Sequence, residues 1–532
     1  MRIYNTASGQ KEELKTLKPH EVNMYVCGPT TYNYIHLGNA RPLVVFDTVR
    51  RYLEYRGYKV NYVQNFTDVD DKIIKRALEE GTDPIKLAER YIEEYFVDAD
   101  QLGIRRAQVH PRVSEHMPDI IAAIEKLIST GYAYQVEGDV YFRVRSFPKY
   151  GKLSGRTPDD MLAGARIEVD ERKQEPGDFA LWKDAKPGEP SWESPWGQGR
   201  PGWHIECSVM STRYLGDTLD IHGGGSDLIF PHHENEVAQA EALTGKPFVQ
   251  YWMHNGFITV NKEKMSKSLG NFFLLRDILK RYPPDVVRFY LIATHYRSPL
   301  DFDDTKLEEA HRALTRLRNT LILLDEFVSE MDGSPVKLSA AGKDLIEMVN
   351  SLESKFTEAM DDDFNTARAI GHLFEISHTI NLFIAEQDRN EAANRQAVYQ
   401  AGAIYRQLIN LLGIEQHKNN EHEEELIDEV LGIIARIRRQ ARNEKDFALA
   451  DSLRDYLRML EVNVEDLENG SRFRYEQAPP LDTLLDKLLE LRTRFREQKM
   501  YDKADIIRDS LQKTGIILED TTEGVRWKLG SV

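Results

Sequence analysis

The stretch that most constrains this chain runs from Val22 to Phe66. It reads as an apolar strand ("VNMYVC"), a loop, an amphipathic helix ("NARPLVVFDTVRRYLEYRG") and an alternating apolar strand ("YKVNYVQNF"). Strand, helix and strand in that order form a βαβ unit, which commits the region to a parallel sheet with helices packed on it. That is nucleotide-binding architecture, because open parallel sheets take ligands at the carboxyl ends of their strands.

The rest of the chain is too long for one such sheet. With 532 residues, 41% hydrophobic and 10% aromatic, several domains are expected. Residues 116–200 are less regular, and Trp182, Trp192, Trp196 and Trp203 crowd a Pro- and Gly-rich segment that reads as packed loops. After "SPLDFDD" apolar residues recur at helical spacing, which predicts a helical bundle, and the polar run at 415–425 reads as a linker. The C-terminal part repeats itself: "RNEKDFALADSLRDYL" from Arg442 lines up with "REQKMYDKADIIRDSL" from Arg496, and the register carries Gly470 onto Gly524 and Phe473 onto Trp527. Two copies of a small helical hairpin with a short strand tail are expected. The first helix of each carries cations (Arg436, Arg438, Arg439, Arg442 and Lys445; Arg492, Arg494, Arg496 and Lys499). These read either as a solvated face or as a polyanion-binding pattern.

The predicted domains are 1–115 with 198–305 as a Rossmann-type catalytic domain, 116–197 as a connective insertion, 306–415 as a helical bundle, and 423–478 and 479–532 as the two repeats. A net charge of −17 argues against a generally basic, nucleic-acid-coating surface but not against a local basic groove. The N-terminal "MRIYNTASGQKEELK" lacks an apolar signal core and no stretch has the apolar length of a membrane span, so a cytoplasmic protein is expected.

Chemistry concentrates in three segments. In "IHLGNARP", Gly38 permits close approach of a ligand, and His36 and Asn39 stand at a helix N-terminus, where phosphate binds; a capped surface helix would look the same. In "NKEKMSKSLGN", Lys262, Lys264 and Lys267 suit a loop that brings ammonium groups to a triphosphate, or an ordinary basic loop. In "DIHGGGSDLIFPHHENE", Gly223 to Gly225 and Asp227 read as a turn able to cradle a nucleotide, and Pro231 as the first turn of a helix. On that helix His232 and Glu236 share a face, with His233 directed elsewhere. They could join Cys27 and Cys207, the only cysteines, as metal ligands. Two buried structural thiols are the alternative.

"HLGN" on a βαβ unit with "KMSKS" downstream resembles the paired signatures of class I aminoacyl-tRNA synthetases. Together with "MYVCGPTTYNYIHLGNAR", "NFTDVDDKIIKRA", "GRPGWHIECS", "YWMHNGFI" and the "HGGG" segment, they resemble the bacterial cysteinyl-tRNA synthetase family over essentially the whole chain. The resemblance implies that Cys27, Cys207, His232 and Glu236 bind one zinc ion, which grips the thiolate of substrate L-cysteine. It further implies that His36, Asn39, Lys264, Lys267, Gly223 and Asp227 serve ATP and its magnesium, and that Gly28, Thr67, Trp203 and His222 build the amino-acid pocket. The partners it implies are L-cysteine, ATP and cysteine tRNA, for a monomer without an editing domain. It also raises a pyridoxal-phosphate-dependent persulfide-forming side activity at Lys72 and Lys75. Leu37 and Asn39 depart from the class signature, and an amide at 39 can position phosphate but not carry a proton charge. The second repeat departs from a family that usually ends in one anticodon-binding module. A cysteine ligase of mycothiol biosynthesis and a catalytically idle synthetase-like scaffold stand as rival readings.

Overall fold

In the computed structural model, the residues described are all except 158–171, 261–262, 265–272, 329–335, 415–418, 468–469, 476–477, 522–523 and 530–532. The chain divides into two compact units, Met1–Glu415 and Gln416–Val532.

The first unit opens with a small antiparallel hairpin, β1 (Arg2–Asn5) and β2 (Gln10–Glu13). The βαβ unit follows as β3 (Glu21–Val26), α1 (Leu37–Tyr55) and β4 (Lys59–Gln64). Helix α1 forms because Leu37, Ala40, Val44 and the residues beyond them repeat at helical spacing and bury one broad face, while His36 and Asn39 cap its start reciprocally. Helices α2 (Asp71–Glu80) and α3 (Pro84–Gln101) each begin at an Asp whose carboxylate accepts from first-turn amides.

The insertion is more regular than the sequence suggests. It holds α4 (Met117–Ser129) and a four-stranded antiparallel sheet, β5 (Ala133–Val136), β6 (Asp139–Phe142), β7 (Phe179–Asp184) and β8 (Gly199–Pro201), in that order. The tryptophan segment read as loops thus includes strand: Trp182 is fully buried on β7, edge-on to Trp196. The chain then returns through α5 (Trp203–Leu215), β9 (Leu219–Gly225), a five-residue turn at Ile229–His233, α6 (Glu234–Thr244) and β10 (Val249–Asn255).

The main sheet is parallel, with strand order β10-β9-β3-β4. From β3 the chain first moves to one side, through α1 into β4, and after the insertion returns on the other side as β9. The order therefore reverses at β3, and the carboxyl ends of β3 and β9 form the crevice in which such sheets bind ligands.

Short strands β11 (Ile258–Val260), β12 (Glu263–Lys264) and β13 (Leu300–Phe302) form a separate sheet around α7 (Leu275–Leu279) and α8 (Pro284–Ile292). Four long helices complete the unit: α9 (Asp304–Val328), α10 (Ala340–Asp361), α11 (Thr366–Glu386) and α12 (Ala392–Leu412). Their buried faces join the parallel sheet in one continuous core. Arg288 on α8 is fully buried and ties the elements together: it pairs with Asp47 of α1 at 2.5 Å and donates to the carbonyl of Leu412, at the end of α12.

The second unit contains α13 (Asn419–Asn443), α14 (Phe447–Met459), the hairpin β14 (Asn463–Leu467) and β15 (Gly470–Arg474), then α15 (Leu481–Glu497), α16 (Tyr501–Lys513), and the hairpin β16 (Ile516–Thr521) and β17 (Gly524–Leu529). Helix α13 begins inside the run read as a linker, so residues from Asn419 onward are helical there. The repeat holds down to backbone detail: left-handed φ values fall at Lys445 and Lys499, and again at Glu461 and Gly515, each pair separated by the same 54-residue shift. One apolar core serves both copies, with Val430, Leu431 and Leu453 packed among Leu484, Leu485 and Leu488.

Candidate active site and metal centre

Cys27 directly follows β3, and its amide donates to the carbonyl of Gly223 on β9, so the thiol stands at the point where strand order reverses. Cys207 lies on α5, His232 in the turn before α6, and Glu236 in the first turn of α6. The Cys27 and Cys207 sulfurs are 3.7 Å apart, Cys27 Sγ is 3.5 Å from Glu236 Oε1, and His232 Nε2 is 3.0 Å from the same oxygen. All four donor atoms lie within 4.8 Å of one another.

The turn that delivers His232 differs from the expected helix start. Phe230 is extended, so regular helix begins only at Glu234. His233 accordingly does not point away: its Nε2 lies 3.3 Å from Cys27 Sγ, and its Nδ1 is 2.8 Å from His254 Nε2. With His222, His233 forms a second donor quartet that shares Cys27 and Glu236.

The chemistry of the set fits a thiophilic divalent cation. Glu236 is wholly buried, and among the described residues its Oε2 finds no hydrogen-bond partner, only the His222 Nε2 at 3.4 Å. Burial pushes its carboxyl well above the usual range and the Cys27 thiol upward too, while Cys207, accepting from Cys27, is held down at about 7. Burial also drives His204, His222 and His233 well below the usual imidazole value and His254 to about 3. Imidazoles and two sulfurs gathered around one buried carboxyl group make a ligand set that a cation completes, inverting the local proton affinities. Outer partners orient it: His204 Nδ1 meets His232 Nδ1 at 2.9 Å, and Thr6 Oγ1 meets His254 Nδ1 at 2.8 Å.

Beside this cluster lies a cavity of about 370 Å³, bounded by Cys27, Gly28, His36, Gly38, Asn39, Trp203 and Asp227 among others. The His36 ring Nδ1 accepts from the Asn39 amide and Asn39 Oδ1 accepts from the His36 amide. Pro42, which also lines the cavity, has no amide to give the Gly38 carbonyl. The facing wall at Gly256 and Phe257 is held by Arg41, a fully buried residue of α1 whose guanidinium donates to both carbonyls at 2.8 Å and to that of Ser298 at 2.5 Å.

Gly28, Trp203 and Lys72 line this cavity, whereas Gly223, Thr67 and His222 do not. Gly223 to Gly225 belong to strand β9, not to a turn; a side chain at Gly223 would strike the Phe46 ring, so that glycine serves close packing of α1. His222 lies behind the sulfurs, stacked on Trp252 with its Nε2 3.5 Å from Cys27 Sγ, and does not line the cavity. Thr67 is buried, donating to Glu206 at 3.2 Å. Gly28 presses its Cα against the Asn65 carbonyl. Trp203 stacks on His232 with ring centroids 4.3 Å apart. Lys72 lines the cavity with its ammonium 5.7 Å from the centre of the Tyr32 ring, and Lys75 is exposed farther along α2. Lys264 is on β12, whereas Lys262 and Lys267 fall outside the described residues.

The catalytic-domain family "tRNA synthetases class I (C)" matches residues 13–312, and the "DALR domain" family matches residues 355–416. A cysteine–tRNA ligase of Carboxydothermus hydrogenoformans is 53% identical over 528 residues, spanning 99% of this chain and 100% of that one. The chain belongs to the cysteine–tRNA ligase family. The cysteine–tRNA ligase of Pelotomaculum thermopropionicum is 55% identical across 99% of both chains, and that of Geobacillus thermodenitrificans 50% identical across 89% of this chain and 99% of its own. Among solved structures, the methionyl-tRNA synthetase of Mycobacterium tuberculosis in complex with methionyl-adenylate superimposes with a TM-score of 0.58 at 14% identity, over 76% of this chain and 94% of that one. At that identity the likeness concerns fold alone, and the fold of this ligase family member is that of a class I synthetase.

Proposed function

We infer that the chain is a cysteine–tRNA ligase, activating L-cysteine with ATP and transferring it to the 3′ end of cysteine tRNA. The observation that carries this reading is the position of the two-thiol, imidazole and carboxylate cluster at the strand ends, against the cavity into which the N-terminus of α1 opens. In activation, the cysteine carboxylate attacks the α-phosphorus of ATP, the bond to the β-phosphate oxygen breaks, and pyrophosphate leaves. In transfer, a terminal ribose hydroxyl attacks the acyl carbon, AMP departs, and the hydroxyl proton passes to its phosphate.

Cys27, Cys207, His232 and Glu236 would hold zinc. Bound there, zinc supplies a sulfur-preferring Lewis acid that lowers the pKa of a thiol. Apolar contacts separate cysteine from serine or alanine by only about 1–3 kcal/mol, whereas loss of a strong specific contact costs much more, so selection needs no second sieve. His36, Asn39 and the N-terminus of α1 bind and orient the phosphates, with magnesium accompanying ATP. Lys264 and Lys267 would stabilise the charge on leaving pyrophosphate. Arg41 keeps the opposite wall at Gly256 and Phe257 in register with that helix start.

The decisive experiment measures cysteine-dependent exchange of pyrophosphate into ATP, then charging of cysteine tRNA, beside ligation of cysteine to an amino sugar. Exchange and charging without amino-sugar ligation are expected. Amino-sugar ligation without charging would overturn the assignment, and full exchange after zinc removal would overturn the metal reading.

A further inference from the structure

The start of α1 can orient phosphates only while the residues just ahead of it, Tyr34 to His36, stay fixed. These three line the cavity yet belong to none of the strands named above. They are braced by the chain just past the "KMSKSLGN" run: the Leu37 amide donates to the Phe273 carbonyl at 3.2 Å, and the Leu275 amide to the Ile35 carbonyl at 3.0 Å. Two such bonds hold little by themselves, since each replaces a bond to water. The next residue, Arg276 on α7, carries the rest of the brace. We propose that Arg276 is a positioning residue for ATP, pinning the Tyr34–His36 segment and the start of α1 against α3.

The contacts of this side chain converge on that segment and on α3. Its guanidinium carbon lies 4.3 Å from the centre of the Tyr34 ring, within reach of a cation–π attraction. Its Nε donates to Asp98 Oδ1 at 2.7 Å, and its Nη2 to the Glu94 carboxylate and, at 3.2 Å, to the Glu94 carbonyl. Both acids are on α3, and so is Tyr91, which meets the Tyr34 ring edge-on with centroids 5.4 Å apart. Asp98 is wholly buried, and Arg276 is its one cationic partner among the described residues, so this pair escapes the screening that weakens surface pairs. Helix α3 is a firm post, because Ile92, Tyr95 and Ala99 sit in the main core and the Tyr95 hydroxyl donates to Gln64 of β4 at 2.7 Å. A planar fork reaches two acids and a ring at once, which a lysine ammonium does not. The metal donors are held separately, Cys27 through the Gly223 carbonyl and the others on α5, α6 and the turn between β9 and α6. Loss of Arg276 therefore acts on the nucleotide and spares the thiol site.

This proposal rests on the ligase reading, and the test separates the two. Arg276→Met removes the fork, Arg276→Lys keeps a charge without it, and Glu94→Gln loosens one arm without stranding the buried Asp98. Each variant is assayed for cysteine-dependent pyrophosphate exchange at varied ATP and at varied cysteine, with zinc content and unfolding temperature measured on the same samples. In Arg276→Met the KM for ATP should rise about tenfold or more, while the KM for cysteine and the zinc content stay within about twofold of the parent. Arg276→Lys and Glu94→Gln should fall between, with the KM for ATP raised about threefold or more. A parental KM for ATP in Arg276→Met, or both KM values rising in step, would overturn the proposal. Should Arg276→Met prove misfolded, Glu94→Gln decides by the same two readings. Arg281→Ala, which breaks an exposed ion pair with Asp304 just beyond α7, is the control that keeps both KM values. Absence of exchange in the parent itself would instead overturn the ligase reading.

Discussion

Cys207 is buried beside Cys27 and His232 in the four-donor cluster, so replacing its sulfur removes a ligand without opening the site to water. Cys207→Ser should lower zinc retention by more than about 100-fold, since even outer partners of metal ligands are worth 10- to 100-fold. Metal analysis of the dialysed protein checks this, and cysteine-dependent exchange should fall with it. Gly28 makes a different demand. A Cβ there would stand 1.6 Å from the Asn65 carbonyl oxygen, which is backbone and cannot yield. Gly28→Ala should therefore destabilise the first unit by about 2–4 kcal/mol, in the range of a forced backbone shift, read as a lowered unfolding temperature. The sequence exposes a small residue at 28 but not its neighbour, because Asn65 reaches it only through the pairing of β3 with β4. The same distance in sequence hides the second imidazole layer. His254 arrives from β10 and His204 from α5, and nothing local to either announces that His233 and His232 will meet them.

Elements with one uninterrupted pattern were legible, and those shaped by distant partners were not. Strand β3, helix α1 and strand β4 follow directly from their apolar spacing. The insertion sheet does not, because its strands are three to six residues long and β6 shifts register against β7 at Val140 and Tyr141. The site was legible in its residue types, two cysteines beside a His and a Glu at helical spacing, although the turn at Phe230–Pro231 spoils the helix that the spacing implied. Docking of α8 on α1 was invisible, since a lone Arg288 in an apolar segment looks like a surface cation. Buried with Asp47, it offers a test. Arg288→Met leaves that carboxylate with Arg51 at 2.7 Å but without its buried partner, and should cost about 3–5 kcal/mol in denaturant unfolding. Burial alone would raise the Asp47 pKa, but Arg288 and Arg51 together hold it below the usual value. Its folded pKa being depressed, its stabilisation is fully present above the unfolded value of about 4 and is lost as pH falls through the folded one. The parent should lose stability below about pH 4 more steeply than Arg288→Met does.

At the scale of the whole molecule, the first unit contains every described group of the candidate site, whereas the second has a core contributed by two copies at once. Deleting residues 479–532 strips Leu484, Leu485 and Leu488 from against Val430 and Leu431. We expect pyrophosphate exchange to persist and the remaining repeat to become rapidly digestible in limited proteolysis. Unchanged charging of tRNA by the same truncation would remove the second copy from the anticodon reading. The matched left-handed turns have a further use. Glu461 holds φ at +56°, where its counterpart Gly515 holds +83°. An L side chain pays about 1–2 kcal/mol for that conformation and glycine does not. Glu461→Gly should accordingly stabilise the second unit by about 1 kcal/mol, once glycine's greater freedom when unfolded is set against the relief. The protein thus carries an internal sibling for each of these positions, and either half can serve as the template from which the other is engineered.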